Sequence, residues 1–344
     1  MDILHVIPQS VYLEELRFHG STKDIKCRTE LFAELGLSVQ EMVVTRNDDE
    51  VVDLFKAKQL KNFRVVLIDG PGIYPKTLGY IKKAYPDIMA IYRSHNPEFF
   101  HRMDWMIAEK TIGKKLVRLQ RAFRGLFRDM KSIFHADYVL PISDWDSMHY
   151  WRFLGNAKKV ITVPYFLPKE YVNEVEHVPS KETLCVSFSA IQATPLMADA
   201  IHNFSHLVTM LGDRCNNWKF SIVGNPCDVN VGSPRIETMG ILGNPFEVLD
   251  RARAVAILSD YGRGFKTKIM EAIHSRAYVM VTPALFKRLP HEVRPFCLSV
   301  RKKSIRDFQQ ALEYCLNPYP AYDPNLQLRT RALNAMSCLK NKEM

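Results

Sequence analysis

The chemistry that the sequence could support is concentrated in residues 259–282, which read SDYGRGFKTKIMEAIHSRAYVMVT. Apolar runs precede and close this segment, so the pattern predicts a strand, a glycine turn, a helix from about Phe265 and a second strand. Lys266 and Lys268 would lie in the first helical turn, where the helix dipole disfavours lysine. A phosphate bound at this helix end would make both lysines favourable, and the glycines would let it approach the backbone.

Glu271 lies one helical turn beyond Lys268, and its carboxylate could accept a hydrogen bond from a sugar hydroxyl. The alternative is a glycine turn with solvated lysines. A Gly-x-Gly pair is weak as a motif, so the residue pattern alone leaves both interpretations open.

A second polar cluster follows the apolar run Ile88 to Tyr92 and reads RSHNPEFF. It places Arg93, His95, Asn96 and Glu98 directly after a predicted buried strand. Ligands of open α/β sheets bind at the carboxyl ends of the strands, which favours a functional interpretation. The alternative is a capped turn whose polar side chains bind the backbone.

The elements around these clusters alternate between strand and helix, which predicts parallel sheets. The alternation starts at Ile3, ends with a strand from Val160 to Pro164, and restarts at Leu184 after a polar segment with two prolines. In the second half a helix is predicted from Asn244 to Arg253. We therefore predict an α/β protein with domains at 1–165 and 184–324, a linker at 166–183 and a terminal helix at 325–344.

The composition limits the kind of protein. The 344 residues include 47 Lys and Arg against 37 Asp and Glu, a formal net charge of +10 that suits an anionic partner. No nucleic-acid reader motif is present, so we expect no nucleic-acid partner. Seven scattered cysteines without a CxxC pair indicate reduced thiols. With neither a signal peptide nor a long apolar run, the sequence predicts a cytoplasmic protein.

The segment GRGFKTKIMEAIHSRAYVMVT resembles the donor-site segment of GT-B glycosyltransferases of the retaining "group 1" type, glycosyltransferase family four and its relatives. The resemblance implies two Rossmann-like, doubly wound parallel-sheet domains facing across a cleft. It also implies that the amides after Gly264 hold the donor diphosphate and that Glu271 binds the ribose. The donor-binding residues expected on this basis are Gly262, Gly264, Phe265, Lys266, Thr267, Lys268 and Glu271, with Gly240, Ile241 and Leu242 at the base and Gly224 and Ser189 at strand ends.

The stretch from Arg93 to Glu98 is similar to an [RK]-x-H-N-x-E pattern of the same enzymes. The resemblance implies that His95 faces the donor sugar and the acceptor, with Glu98 beside it. Residues 136–143 and 160–164 also resemble the family, in which they close the first domain.

Two parts of the sequence depart from the family pattern. Many members carry a glutamate where this chain has Arg263, and a glycine with a basic residue where it has Ser189, Ala190 and Gln192. We count Arg263 among the candidate catalytic residues, because its guanidinium could pair with the carboxylate of an acidic sugar.

The resemblance implies a metal-independent glycosyltransferase that moves a sugar, with retention, from a nucleotide-diphospho-sugar to a glycan or lipid-linked acceptor. A UDP-sugar is the favoured donor, and the setting would be cell-surface polysaccharide or glycoconjugate synthesis. No metal is expected, since the one Asp-x-Asp spacing, Asp144 to Asp146, lies at a predicted helix start. The alternatives are a sugar-nucleotide epimerase of the same fold and a non-catalytic sugar-binding or scaffold subunit.

Residues 110–135 form a strongly basic predicted helix that also carries Leu and Phe at helical spacing. One interpretation is an amphipathic helix packed on the core with a solvated basic face. The other is a helix that contacts anionic lipid at the inner face of the membrane.

Overall fold

The computed structural model describes residues 2–58, 60–70, 74–175, 180–189, 195–225, 229 and 231–341. The chain divides into two compact units. Unit 1 comprises Met1–Pro168, Arg263–Phe265 and Leu326–Met344, and unit 2 comprises Lys169–Gly262 and Lys266–Asn325. The turn at Pro71 and Gly72, the positions of Ala190 and Gln192 and part of the predicted linker lie outside the described residues.

Unit 1 is built on a five-stranded parallel sheet with the strand order β2-β1-β3-β4-β5. Its strands are rich in Val, Ile and Leu, as is typical of parallel strands covered on both faces. They are β1 (Asp2–Pro8), β2 (Ser38–Val44), β3 (Val65–Asp69), β4 (Met89–Ser94) and β5 (Tyr138–Pro141). The segment predicted as a strand from Val160 to Pro164 is not a regular strand, but it runs along β5. Val160 forms a parallel bridge with Val139, and the N–H groups of Ile161 and Val163 donate to the carbonyl oxygens of Val139 and Pro141, at 3.0 and 3.1 Å.

The helices of unit 1 connect these strands in sequence order. They are α1 (Gly20–Glu34), α2 (Asp48–Ala57), α3 (Pro75–Ala84), α4 (Glu98–Ala108), α5 (Ile112–His135), α6 (Asp144–Asp146) and α7 (Arg152–Leu154), with a π-helical segment at Ser147–Trp151 and 3₁₀ turns at Gln9–Tyr12, Glu14–Leu16 and Ala157–Lys159. The Asn47 side chain caps α2, as expected for an asparagine before a helix. The core consists of the sheet's apolar side chains together with Phe55, Leu78 and Trp151.

Unit 2 contains a six-stranded parallel sheet with the order β11-β10-β9-β6-β7-β8. Its strands are β6 (Glu182–Phe188), β7 (Lys219–Val223), β8 (Ile236–Gly240), β9 (Ala252–Ile257), β10 (Tyr278–Val281) and β11 (Cys297–Ser299). Phe204, Phe220 and Phe308 pack together on one side of this sheet. The first strands of the two halves, predicted from Ile3 and Leu184, are both present.

The helices of unit 2 are α8 (Lys169–Val172), α9 (Pro195–Leu211), α10 (Phe246–Leu249), α11 (Thr267–His274), α12 (Pro283–Arg288) and α13 (Ile305–Tyr314), with a 3₁₀ turn at Arg294–Phe296. The chain ends in α14 (Pro324–Asn341), which belongs to unit 1 from Leu326 onward. The helix predicted from Asn244 to Arg253 is reduced to α10, because β9 already begins at Ala252. Among the described helices, none has the length and apolarity that crossing a membrane requires.

Helix α5 packs against the rest of unit 1 with its small and polar side chains. Ala122, Gly125 and Ser132 are buried, and a Cβ at Gly125 would lie 3.0 Å from Arg102 Cδ, so α4 and α5 approach closely. Of its large apolar side chains, Ile133 is buried and Leu126 packs against the core, but most of the others point to solvent. Leu116, Phe123, Phe127, Met130 and Phe134 are exposed, between 43% and 77% of their surface. Helix α5 is thus packed on the core with a solvated basic face, as one interpretation expected, and it also exposes three phenylalanines.

Candidate functional site

The carboxyl edge of the sheet in unit 1 carries a buried cluster of charged side chains. His95 follows β4 and is 7% exposed, and Asp69 is the last residue of β3. His95 Nε2 lies 2.7 Å from Asp69 Oδ1 and 3.2 Å from Asp24 Oδ2, on α1. His5 Nε2 contacts the other Asp69 oxygen at 3.2 Å.

Two arginines complete this cluster. The Arg93 guanidinium donates to both oxygens of Asp24, at 2.6 and 2.9 Å, and Arg28 pairs with both Asp24 and Asp69. Burial alone would raise the pKa of the Asp69 carboxyl, but Arg28 and the hydrogen bonds from the two histidines hold it well below its usual range. Burial would also raise the pKa of Asp24, but the charges of Arg28 and Arg93 lower it below its usual range. Both carboxylates are therefore ionised at neutral pH.

This arrangement determines which ring nitrogen of His95 carries the hydrogen. Because Nε2 faces carboxylate oxygens of both Asp69 and Asp24, it must carry the hydrogen, and a neutral His95 therefore has its lone pair on Nδ1. The same three side chains bring potential metal ligands within 4.8 Å of one another. Two guanidiniums already neutralise the two carboxylates, so this cluster does not suit a divalent cation.

Glu98 is the first residue of α4, and its Oε2 accepts from the guanidinium of Arg102 at 2.9–3.0 Å. Among the described contacts, none joins Glu98 to His95 directly. The structure thus places the two residues at one end of β4 but gives the Glu98 carboxylate a partner on its own helix.

Residues Arg263–Phe265 cluster with unit 1 although their neighbours in the chain belong to unit 2. The Arg263 guanidinium lies 5.3 and 5.2 Å from the ring centres of Phe100 and Trp145, and its Nη2 is 3.4 Å from Asp104 Oδ1. Arg263 therefore already has a carboxylate partner and two aromatic ones. The Phe265 ring lies 5.6 Å from that of Tyr165.

In unit 2, helix α11 begins at Thr267 with Lys266 at its N-cap position, two residues later than the sequence predicted. Lys268 Nζ lies 2.6 Å from an oxygen of Glu271, whose side chain is fully buried, and 4.9 Å from the Phe188 ring centre. The first turn of the helix thus presents a partly exposed lysine that is held in place by a buried carboxylate.

The turn before α11 depends on glycine. Gly262 has φ of +84°, a left-handed conformation that favours glycine, and a Cβ there would require the Lys266 ammonium group to move. Arg288 donates to the carbonyl oxygens of Gly262 and Asp260, at 3.0 and 3.2 Å. Arg288 is a residue that the sequence did not single out, and it fixes the course of the turn.

The remaining predicted donor-site residues lie at the carboxyl edge of the sheet in unit 2. The backbone N–H of Ser189 donates to Val223 O at 2.8 Å, and that of Gly224 donates to Gly240 O at 2.7 Å. These bonds join the ends of β6, β7 and β8. Ile241 is 58% exposed beyond β8, and Leu242 packs against a small apolar cluster.

The buried partners of His95 escaped prediction. Asp24 and Arg28 are four residues apart, a spacing that fits one helix face, and Asp69 ends the run RVVLID. That spacing was the only signal available, because nothing in the sequence says which helix face meets the ends of β3 and β4.

Comparisons with known proteins agree on the fold. No family model and no curated protein matches the chain. Among solved structures, Anabaena Alr3699/HepE in complex with UDP aligns with 98% of this chain and 94% of its own, at 14% identity and a TM-score of 0.57. The apo lipopolysaccharide outer core galactosyltransferase WaaB aligns over 100% of both chains, at 13% identity and 0.60.

Sucrose-phosphate synthase from Thermosynechococcus elongatus aligns with 98% of this chain and 94% of its own, at 12% identity and a TM-score of 0.63. With two parallel-sheet Rossmann-like units and these neighbours, the chain has the GT-B fold. At such identities the likeness concerns the fold, and a function has to be argued from the residues.

Proposed function

We propose that the chain is a glycosyltransferase that takes a sugar from a nucleotide-diphospho-sugar. The observation that carries the proposal is the segment from Gly262 to Glu271. Its glycine turn leads into a helix N-terminus with two lysines, and its buried glutamate holds Lys268 at 2.6 Å. Helix dipole, amide groups and lysines together suit a diphosphate, and Glu271 suits a ribose hydroxyl. The solved structures of similar fold include HepE with UDP and with UDP-glucose, which favours a UDP-sugar.

We further propose that the enzyme needs no divalent metal and retains the configuration of the sugar. Lys266, Lys268 and the start of α11 would stabilise the leaving diphosphate in place of a cation. The leaving phosphate would then take the acceptor's proton. Retention follows the resemblance of the donor segment to the group 1 enzymes.

His95 is proposed to polarise or position groups at the anomeric carbon. Its Nε2 hydrogen is committed to Asp69 and Asp24, which would keep the ring oriented. Asp104, Phe100 and Trp145 already contact the Arg263 guanidinium. We therefore propose that Arg263 holds the turn in place and does not bind the carboxylate of an acidic sugar.

The acceptor is proposed to be a glycan carried by a lipid, and α5 to bring the enzyme to the anionic inner face of a membrane. Six exposed apolar side chains of α5 lie within an arc of about 60° around the helix, counted at 100° per residue. They are Ile112, Leu116, Phe123, Phe127, Met130 and Phe134. Arg121, Arg124, Arg128 and Lys131 occupy the adjoining exposed face, and this pairing of an apolar with a basic stripe suits an anionic lipid surface.

The donor proposal is tested by thermal unfolding in the presence of UDP, GDP, CMP and ADP and their sugar conjugates, without divalent metal. We expect a selective rise in the midpoint with one nucleotide family, lost in Glu271→Gln and kept in Glu247→Gln, an exposed glutamate of α10. No shift with any nucleotide would instead support a non-catalytic scaffold. Epimerised sugar nucleotide formed without any acceptor would support an epimerase.

A further inference from the structure

Two hollows on the surface of unit 1 share the side chains of Phe127 and Lys131, on α5. The first has a volume of about 880 Å³ and is bordered by the N-terminal ends of α2 and α3. The second has a volume of about 500 Å³ and lies between the last turns of α5 and residues 154–159. Both volumes fall in the range of small-molecule sites.

The first hollow offers cations to a ligand. Arg46, Arg128 and Lys131 line it, and in the described part of the chain no carboxylate lies within 4 Å of their side-chain nitrogens. The acidic residues beside them are engaged elsewhere. Asp48 accepts from the backbone N–H groups of Lys76 and Thr77, at 2.8 and 3.0 Å.

The other two acidic residues of this hollow also have partners. Asp49 pairs with Lys76 at 2.7 Å, and Glu50 accepts from the Thr45 hydroxyl and the Asn47 amide. These hydrogen bonds do not remove the carboxylate charges, but the lining carries four cations against three carboxylates, a net positive charge of one that suits a phosphate group.

The second hollow is mainly apolar. Met130, Ile133, Phe134 and Leu154 line it, and Phe134 is 77% exposed. Gly155 shapes its floor, since a Cβ there would lie 2.6 Å from Ile133 Cδ1 and would push that side chain out of place. An exposed apolar groove of this kind fits an acyl or prenyl chain.

We propose that the joined hollows bind one molecule of a phosphate-bearing membrane lipid, with its phosphate at Arg128 and Lys131 and its chain beside Met130 and Phe134. The proposal rests on the proposed membrane contact of α5 and adds a defined lipid site to it. The charges and the apolar lining meet at Phe127 and Lys131, so an amphiphile fills both hollows whereas a free phosphate fills only the first.

The test uses dihexanoyl phosphatidic acid below its micellar concentration, so that no bilayer is present, with binding followed by isothermal titration calorimetry. We expect one lipid per chain, and an affinity at least about tenfold weaker in the double variant Arg128→Gln/Lys131→Gln. The matched control, Lys114→Gln/Lys115→Gln, removes the same charge from α5 outside both hollows and should bind as the wild type does. Glycerol 3-phosphate and inorganic phosphate should bind at least about tenfold more weakly than the lipid.

Equal losses in the two double variants would reduce the effect to general electrostatic attraction and overturn the proposal. Equal binding of inorganic phosphate would leave an anion site only. A dimer that forms without lipid and is lost in Phe127→Ser would mean that the two hollows bind a second copy of the chain, which would overturn the lipid proposal. The nucleotide-induced rise in thermal midpoint, measured on the same variants, should stay unchanged, which separates failure of the lipid site from failure of the proposed enzyme.

Discussion

His95 Nε2 lies 2.7 Å from Asp69 Oδ1, and this contact joins the ends of two neighbouring parallel strands through buried side chains. The Asp69 carboxylate also makes hydrogen bonds with Arg28 and His5, so one side chain orients three others. The pairing explains how a polar cluster can be buried beneath a candidate site. Each charge has a partner of opposite sign, and the cluster is neutral when both histidines are neutral.

Replacing Asp69 with asparagine should therefore destabilise unit 1. Arg28 would lose one of its two carboxylate partners in a fully buried position, and breaking such a pair costs about 3 kcal/mol. For a unit of this size we expect a fall in thermal midpoint of about 6 °C or more. Asp53→Asn, which breaks an exposed pair with Lys56, is the control and should change the midpoint little. Similar shifts in the two variants would show that the buried network contributes no more than a surface pair.

A second prediction concerns Asp129, which is buried in α5 and accepts from the Tyr150 hydroxyl at 2.5 Å and from the Phe99 N–H at 3.2 Å. Burial, with a smaller contribution from the nearby Glu98, raises the pKa of this carboxyl from 3.8 to about 7 against the hydrogen bonds from Tyr150 and the Phe99 N–H. Between these two pKa values the folded protein keeps a proton that the unfolded chain has released. The contribution of Asp129 to stability therefore falls as pH rises from about 4 to about 7 and levels off above that.

Asp129→Asn removes this titration while keeping the shape of the side chain. The variant should gain stability relative to the wild type as pH rises through that window, by at most about 4 kcal/mol for a shift of this size. Thermal midpoints at pH 4, 5, 6, 7 and 8 measure the difference between the two proteins. A difference that does not vary with pH would mean that Asp129 ionises normally in the folded state.

The alternating pattern predicted the fold well because parallel strands are buried on both faces and read as apolar runs. The strands Met89–Ser94 and Glu182–Phe188 lie close to the apolar runs that the sequence indicated at Ile88 to Tyr92 and from Leu184. The segment from Val160 to Pro164 is apolar and mostly buried, and it pairs with β5 through one bridge and two hydrogen bonds without forming a regular strand. An apolar run shows burial, and whether the backbone pairs depends on neighbours that are distant in the sequence.

Helix α5 shows a second limit. The spacing of its large apolar residues predicted a helix correctly, yet the packed side is the one bearing Ala122, Gly125 and Ser132. Periodicity identifies a face without saying what covers it. The burial of Asp129 on the packed side followed from the same geometry, since its partners come from α4 and from residue 150.

Gly264 offers a test of the turn before α11. Its φ is +74°, and a Cβ would overlap the carbonyl oxygen of His95 and the side chain of Asn96. Gly36 has a similar φ of +63° with no atom within 4 Å of a Cβ, so Gly36→Ala should cost only the left-handed strain of about 1 kcal/mol. Gly264→Ala adds a clash with backbone to the same strain and should lower the thermal midpoint at least about twice as much. Equal effects would mean that the turn can move away from His95 at no cost.

The exposed apolar stripe of α5 leads to a final prediction. Ile112 and Leu116 are 77% and 64% exposed and lie outside the two hollows, so changing both to serine should leave the thermal midpoint unchanged. If they enter a membrane, the same change should weaken binding to vesicles of phosphatidylcholine and phosphatidylglycerol by about tenfold or more, since each loses apolar burial. Co-sedimentation at low salt measures this binding. Leu326→Ser, at a 60% exposed position on α14, is the control and should sediment with vesicles as the wild type does. Unchanged sedimentation of the Ile112→Ser/Leu116→Ser variant would remove the membrane contact while leaving the nucleotide site untouched.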